Sequence, residues 1–177
     1  MQLQRLVLSF AILLSSWASA GWTQAGTGSV SFNAVGPAGF KINGKGEKVT
    51  VSDDGAKLSV AVPLASLETG IDLRNKHMLE DLEAEKFPTA TLEVALSALK
   101  FPADGETLSA EARGQFGLHG QTKETAFSYK ATCKSGLCDV EATADLNVKD
   151  FGVKIRSYLG ITVKPDLKIG VRFQLKQ

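Results

Sequence analysis

The feature that most constrains the fold of this chain is an alternation of apolar and polar residues with a period of two. Glu111-Ala112-Arg113 and Lys168-Ile169-Gly170-Val171-Arg172 are typical stretches. Successive side chains of a β-strand point to opposite faces, so the pattern predicts antiparallel strands with one buried and one solvated face. The predicted buried positions are Leu58, Val60, Val62, Leu64, Leu92, Val94, Leu96, Leu108, Ala110, Ala112, Gly114, Phe116, Leu118, Phe127, Tyr129, Ala131, Val140, Ala142, Ala144, Leu146, Ile169, Val171, Phe173 and Leu175.

Turn-forming residues separate the alternating stretches. Asp53-Asp54-Gly55, Asp104-Gly105 and Ser135-Gly136 favour tight connections. Eight strands are predicted, at residues 28–34, 39–52, 57–64, 89–97, 107–118, 124–133, 138–146 and 167–175. Consecutive hairpin-linked strands indicate an all-β, eight-stranded antiparallel up-and-down barrel, because closure leaves no exposed edge strand. A two-sheet sandwich is the alternative.

One short helical insertion interrupts this all-β pattern between the third and fourth predicted strands. It begins at Asp72, runs through Leu79 toward Phe87, and stops before Pro88. At the rim of a barrel such an insertion is either a lid or a long connection.

The first twenty residues have the pattern of a secretory signal peptide. Arg5 precedes the apolar run Leu6–Leu14, and Ala18-Ser19-Ala20 offers a small-residue cleavage site. We therefore predict a signal peptide at 1–20, cleavage after Ala20, and one mature domain at 21–177. The alternative, a retained membrane anchor, needs about 20 continuous apolar residues, and this run is shorter. No transmembrane segment is expected after cleavage.

Charge argues against a nucleic-acid partner. Removal of the signal peptide, which carries Arg5 and no acidic residue, leaves 19 basic and 19 acidic residues. Proteins that bind a phosphate backbone concentrate positive charge on one face, and this balance predicts no such partner.

Cys133 and Cys138 flank the turn-like segment Lys134-Ser135-Gly136-Leu137. In an oxidising compartment this arrangement predicts a disulfide bond across a hairpin. The alternative is a redox-active pair, although catalytic dithiols are usually spaced C-x-x-C at a helix start.

Candidate catalytic chemistry is sparse. His77 falls in the helical insertion and His119 in a hairpin turn, each without a second His or Cys at ligand spacing. No stretch matches a nucleophile elbow, a phosphate loop or a zinc cluster. We therefore predict a protein that is not an enzyme and has neither a metal site nor a cofactor.

Side-chain size on the inward face is more informative. Small residues occupy the middle of three strands, at Ala110, Ala112, Gly114, Ala131, Ala142 and Ala144, and larger ones lie toward the strand ends. This distribution predicts a hollow barrel with a lumen about 30 Å deep, shaped for a long linear apolar molecule. The alternative is that these alanines pack against large neighbours in a filled barrel.

A series of motifs in the mature chain resembles the YceI-like family of periplasmic polyisoprenoid-binding proteins. The motifs occur in the family's order and span nearly the whole mature chain. They are Phe32, Gly39-Phe40, Ser66-Leu67-Glu68-Thr69, Asp72-Leu73-Arg74-Asn75-Lys76-His77-Met78-Leu79, Phe87-Pro88-Thr89-Ala90-Thr91-Leu92, Gly114-Gln115-Phe116-Gly117-Leu118-His119-Gly120-Gln121-Thr122-Lys123 and Asp150-Phe151-Gly152.

The resemblance implies a lipocalin-like barrel in the periplasm, often dimeric, that holds an isoprenoid chain such as a polyprenyl phosphate or a quinone tail. We expect Arg74 and His77 at the rim to contact the polar end. The alternative is an envelope interaction protein with a filled barrel and no ligand. The expected lumen residues are Leu108, Ala110, Ala112, Gly114, Phe116, Phe127, Tyr129, Ala142, Ala144, Val171 and Phe173.

Overall fold

Strands dominate the described part of the chain, which in this computed structural model comprises residues 21–36, 39–155, 157–158 and 161–177. The predicted signal peptide at 1–20 lies outside these residues. One α-helix, α1, spans Asp72–Asp81, and short 3₁₀ turns occur at Leu64–Ser66, Leu96–Ala98 and Val148–Phe151. The strands are β1 (Thr23–Val35), β2 (Lys41–Asp53), β3 (Lys57–Pro63), β4 (Thr89–Ala95), β5 (Thr107–Leu118), β6 (Gln121–Lys134), β7 (Leu137–Asn147), β8 (Ser157–Tyr158), β9 (Ile161–Thr162) and β10 (Asp166–Lys176).

Eight of these strands close into one antiparallel barrel in the order β1-β10-β7-β6-β5-β4-β3-β2. Closure is made by β1 and β10, which pair from Thr23 opposite Lys176 to Ala34 opposite Leu167. The short β8 and β9 form a separate hairpin. The predicted eight-stranded barrel with a helix between β3 and β4 is therefore confirmed, and the sandwich alternative is wrong.

The first strand is longer than the alternation predicts. Its expected start was residue 28, but pairing with β10 begins at Thr23 and shifts register between Ala25 and Ser29. Gly26 lies in this irregular stretch with a φ of 68°. A residue in that conformation marks a β-bulge, so the glycine bends β1 where the pattern suggested a strand end.

The two ends of the barrel differ. At one end, which we call the disulfide end, β6 and β7 are joined by the two-residue turn Ser135-Gly136 and bonded through Cys133 and Cys138. At the other, the mouth end, long connections carry α1 between β3 and β4, and the 3₁₀ turn Val148–Phe151 with β8 and β9 between β7 and β10. The predicted hairpin disulfide is thus confirmed.

The disulfide end is filled by side chains that meet across the barrel. We call this cluster the basal core, and within it Ala131 and Leu175 are fully buried. Its members come from six strands and include both cysteines, which favours a structural role for the disulfide over a redox role. They are Val30, Val49, Val51, Leu58, Val60, Ala131, Cys133, Cys138, Val140, Phe173 and Leu175.

Removal of the disulfide should lower the stability of the barrel without opening it. A Cys133→Ala/Cys138→Ala double variant releases a short loop, which corresponds to about 2 kcal/mol in the unfolded state. For a domain of this size we expect the melting temperature to fall by about 4–8 °C. Thermal unfolding followed by circular dichroism measures the change, and an unaltered melting temperature would contradict the structural role.

Candidate functional site in the mouth half of the barrel

A cavity of about 670 Å³ occupies the mouth half of the barrel. Its volume lies within the range of ligand pockets, about 300–1,000 Å³. All eight barrel strands contribute to the wall, with three residues each from β1, β4, β7 and β10, and the connections at this end complete it. The apolar side chains that line it include Val30, Phe32, Ala34, Ile42, Val60, Val62, Leu64, Leu67, Leu92, Phe116, Leu118, Phe127, Ala142, Ala144, Val148, Val153, Ile155, Leu167, Ile169 and Val171.

The floor of the cavity is the top of the basal core. Val30 and Val60 belong to both, so the cavity ends where the packed cluster begins. Below them, the connection after β4 turns into the barrel, and Leu96, Leu99 and Phe101 pack on the basal core. We call the segment 96–101 the plug.

Tyr129 holds the plug in place. Its hydroxyl accepts a hydrogen bond from the Lys100 amide at 2.8 Å and donates one to the Lys100 carbonyl at 3.1 Å. Phe101 is also stacked on Trp22, with ring centroids 4.3 Å apart. Since Trp22 precedes β1 and Phe101 follows β4, this aromatic pair joins segments from opposite parts of the sequence across the disulfide end.

The helix α1 forms one side of the mouth. Its C-terminal part is apolar toward the barrel, and Leu79 and Leu82 pack against a second cluster that contains Leu64, Leu118 and Phe151. Side chains of α1 also line the cavity, namely Arg74, His77, Met78 and Asp81. The insertion predicted from sequence is therefore part of the cavity wall.

Arg74 is the best-anchored polar group at the mouth. Its guanidinium donates to the Thr69 carbonyl at 3.4 Å and lies 5.8 Å from the centroid of the Phe40 ring. Asn75 holds Thr69 in turn, accepting from its amide at 2.8 Å and from its hydroxyl at 2.7 Å. These contacts keep a half-buried cation at the edge of an apolar space.

Further polar and apolar groups surround the same opening. The exposed side chains of His77 and Lys164 line the cavity, which places two more basic groups where it reaches solvent. Phe40, Ile71 and Leu73 are 58%, 49% and 62% exposed. The rim therefore combines basic side chains and the Asp81 carboxylate with uncovered apolar surface.

His119 fastens the mouth wall. Its Nδ1 lies 3.1 Å from the Phe151 carbonyl and its Nε2 lies 3.3 Å from Glu83 Oε1. The ring also meets the Phe87 ring edge to face, at 5.2 Å between centroids. Both polar partners are acceptors, so a ring protonated on both nitrogens donates to both. This side chain joins the β5–β6 turn to the segments that follow α1 and β7.

The cavity brings together some of the predicted site residues and not others. Those that line it are Phe116, Phe127, Ala142, Ala144, Val171, Arg74 and His77. Those outside its lining are Leu108, Ala110, Ala112, Gly114, Tyr129 and Phe173. The predicted hollow at the middle of β5 is thus absent, and the space lies nearer the mouth.

Packing explains the difference on β5. Ala110 and Ala112 are covered by a cluster that contains Val94, Phe127 and Tyr129, with Leu99 of the plug against it. At Gly114 a Cβ atom would lie 2.8 Å from the Glu93 carbonyl oxygen and equally close to side chains of Leu92 and Val94. Small residues here make room for neighbouring segments, as the filled-barrel alternative proposed, whereas Ala142 and Ala144 border empty space.

Several lining positions were missed from the sequence. On β1, Val30, Phe32 and Ala34 alternate with polar residues, so the same period-two signal could have placed them on the inner face. Val153 and Ile155 belong to the connection after β7, where they alternate with Gly152 and Lys154 over a stretch shorter than the predicted strands. Only the closed fold brings that connection to the mouth.

The described residues contain neither a cluster suited to a metal ion nor a helix suited to crossing a membrane. Among these residues, no group of three or more His, Cys, Asp or Glu side chains is placed to bind a metal ion. Within the same part of the chain, α1 and the shorter turns fall short of the length and apolar character that a membrane-crossing helix needs.

A closed antiparallel barrel, packed at one end and holding an apolar cavity at the other, defines a class of small-ligand-binding β-barrel proteins. The model of the YceI-like domain family matches residues 22–175. The chain belongs to this family, which confirms the resemblance found in its motifs. No curated protein sequence matches it.

Solved structures share this fold at low sequence identity. A polyisoprenoid binding domain from Saccharophagus degradans, implicated in plant cell wall breakdown, has 16% identity and a TM-score of 0.75 over 88% of this chain and 97% of that one. BcnA of Burkholderia cenocepacia has 18% identity and a TM-score of 0.64 over 83% and 95%. The YceI protein of Campylobacter jejuni has 15% identity and a TM-score of 0.54 over 100% and 99%. These identities establish the fold alone.

Gly114→Ala should destabilise the barrel because its methyl group has no space between β4 and β5. Overpacking of this kind costs about 1–3 kcal/mol. Ser109→Ala, at an exposed position of the same strand, serves as the control and should stay within about 0.5 kcal/mol of the native protein. Urea unfolding measures both, and equal stabilities would refute the close approach.

Proposed function

We propose that this chain is an exported, periplasmic binder or carrier of a long-chain isoprenoid lipid, of the polyprenyl phosphate or quinone type, whose tail occupies the mouth-half cavity. The observation that carries the proposal is an apolar cavity of about 670 Å³ that opens beside basic side chains. Binding, and not catalysis, is the role that such a lining supports.

The physical driving force is burial of the lipid tail. Each methylene moved from water into an apolar space contributes about 0.8 kcal/mol before the cost of immobilising the chain. Among the lining residues, Phe116, Phe127, Ala142, Ala144 and Val171 would contact the tail directly. Ala110, Ala112, Gly114, Tyr129 and Phe173 would act behind them by shaping the wall and floor. Leu108 lies outside the cavity lining, opposite Ala131 in the β5–β6 pair.

Membership of the YceI-like family supports the same ligand class. The Saccharophagus degradans structure is described as a polyisoprenoid binding domain, and its fold resembles this chain over 88% of its length. That description concerns the neighbour, and the apolar lining of the cavity is the independent reason to extend it here.

A polar head group would lie at the rim beside Arg74, with His77 as a further partner. An arginine guanidinium is suited to phosphate because it offers several N–H donors in a fixed plane. Lys164 adds a second permanent cation at the opening. A quinone oxygen could accept a hydrogen bond from the same guanidinium.

Narrowing the cavity should weaken binding. Ala144→Phe places a ring in the mouth half, and we expect its dissociation constant for geranylgeranyl monophosphate to rise at least about tenfold, since the tail loses several buried carbons. Ala126→Phe, at an exposed outward position of β6, is the matched control and should bind as the native protein does. Isothermal titration calorimetry measures the constants.

Native mass spectrometry of the gently purified protein tests the natural ligand. We expect an apolar adduct in the native protein and in Ala126→Phe, and a smaller fraction of adduct-bound protein for Ala144→Phe. If the native protein is repeatedly recovered without adduct and takes up no isoprenoid, the proposal fails.

Arg74 should discriminate by head group. Arg74→Gln should weaken binding of geranylgeranyl monophosphate by about 10- to 100-fold, because a charge-assisted hydrogen bond is lost, and should leave neutral geranylgeraniol within about twofold. Arg113→Gln removes an arginine of the outer surface that pairs with Glu124, and it is the control. An equal effect of Arg74→Gln on both ligands would assign the side chain a role in the wall instead.

Localisation and assembly are separate parts of the proposal. Cleavage after Ala20 and recovery in the periplasmic fraction are expected for an exported protein. The homodimer implied by family resemblance predicts a mass near twice that of the mature chain in light scattering.

A further inference from the structure

The closed floor of the cavity points to a limit on ligand length. We infer that this protein binds about 20 carbon atoms of an isoprenoid tail, about four isoprene units, with the end of the tail against the floor. Longer lipids leave their remaining units outside the mouth. The inference rests on the proposed function and specifies the ligand that the same site would take.

The volume of the cavity sets the number of carbons. An apolar protein cavity of about 150 Å³ binds one benzene molecule, which has six carbon atoms. By that ratio the cavity of about 670 Å³ has room for roughly 25 carbon atoms. Because the cavity is open at the mouth, part of this space belongs to the head group and about 20 carbon atoms belong to the tail.

The floor is a packed structure. Ala131 and Leu175 within it are fully buried, and Phe173 is 7% exposed. The cluster joins side chains of opposite strands, so extension of the cavity would require several of them to move together. Protein interiors are close-packed and resist such changes.

The plug adds a second layer beneath the floor. Both hydrogen bonds of the Tyr129 hydroxyl hold the Lys100 backbone, and Trp22 stacks on Phe101 beyond it. The Cys133–Cys138 bond ties β6 and β7 at the same end. The disulfide bond and the Trp22–Phe101 contact therefore hold the packed end together below the floor, so a lipid tail would stop there.

The test is a chain-length series with a single head group. Isoprenyl monophosphates of two, three, four, five and seven units are titrated against the mature protein, each below its aggregation concentration. We expect the dissociation constant to fall by about tenfold per unit up to the fourth unit, since larger ligands gain modestly per buried atom. The fifth and seventh units should change it by less than about twofold.

A substitution near the floor should change the chain length at which affinity stops increasing. We call this chain length the break. Ala142 lines the cavity beside Val171 and is 8% exposed, and Ala142→Phe would occupy the space of about one isoprene unit. The break should then fall after the third unit, with two-unit and three-unit ligands bound as in the native protein. Ala126→Phe should keep the native break.

The outcomes separate the two proposals. Binding of several lengths with affinity that keeps rising through seven units, or a break unmoved by Ala142→Phe in a folded variant, overturns the length limit and leaves isoprenoid binding intact. Failure of every length to bind the native protein overturns the proposed function itself. Circular dichroism and thermal melting establish that each variant is folded.

Discussion

Closure of the sheet by pairing of β1 with β10 is the constraint on which the rest of the structure depends. It gives each of the eight barrel strands two hydrogen-bonded neighbours and removes the exposed edges of an open sheet. It also directs alternate side chains of eight strands toward one interior. Once the sheet is closed, the size of those side chains and the path of the connections decide how much of the interior is empty.

The interior is divided unequally for that reason. In the disulfide half, large side chains and the plug meet across the barrel, and small residues such as Ala110 serve to admit them. In the mouth half, Ala142 and Ala144 of β7 border the open cavity. The long connections at this end surround the opening and do not occupy the interior. The two alternatives weighed from sequence, a hollow and a filled barrel, each describe one half.

The sequence predicts the features of this fold that depend on neighbouring residues better than those that depend on residues far apart in the chain. Period two is a local signal, so β3, β4 and β5 begin where it placed them, at residues 57, 89 and 107. The first strand was predicted to start only at residue 28, because the bulge at Gly26 interrupts the alternation and resembles a strand end without its partner strand. Leu99 packs beside Ala110 and Ala112 of β5 only in the tertiary structure, so the sequence could not show that these alanines border packed side chains. The cavity's location was therefore only partly predictable.

A barrel that is packed at one end would also give the proposed lipid a single route. The tail would enter first and the head group would leave first, both at the mouth, because the basal core occupies the disulfide end. The rim, with Arg74 among exposed Phe40, Ile71 and Leu73, would be the part that a donor or recipient meets at both steps. Uptake and release of the lipid would then depend on the same stretch of surface.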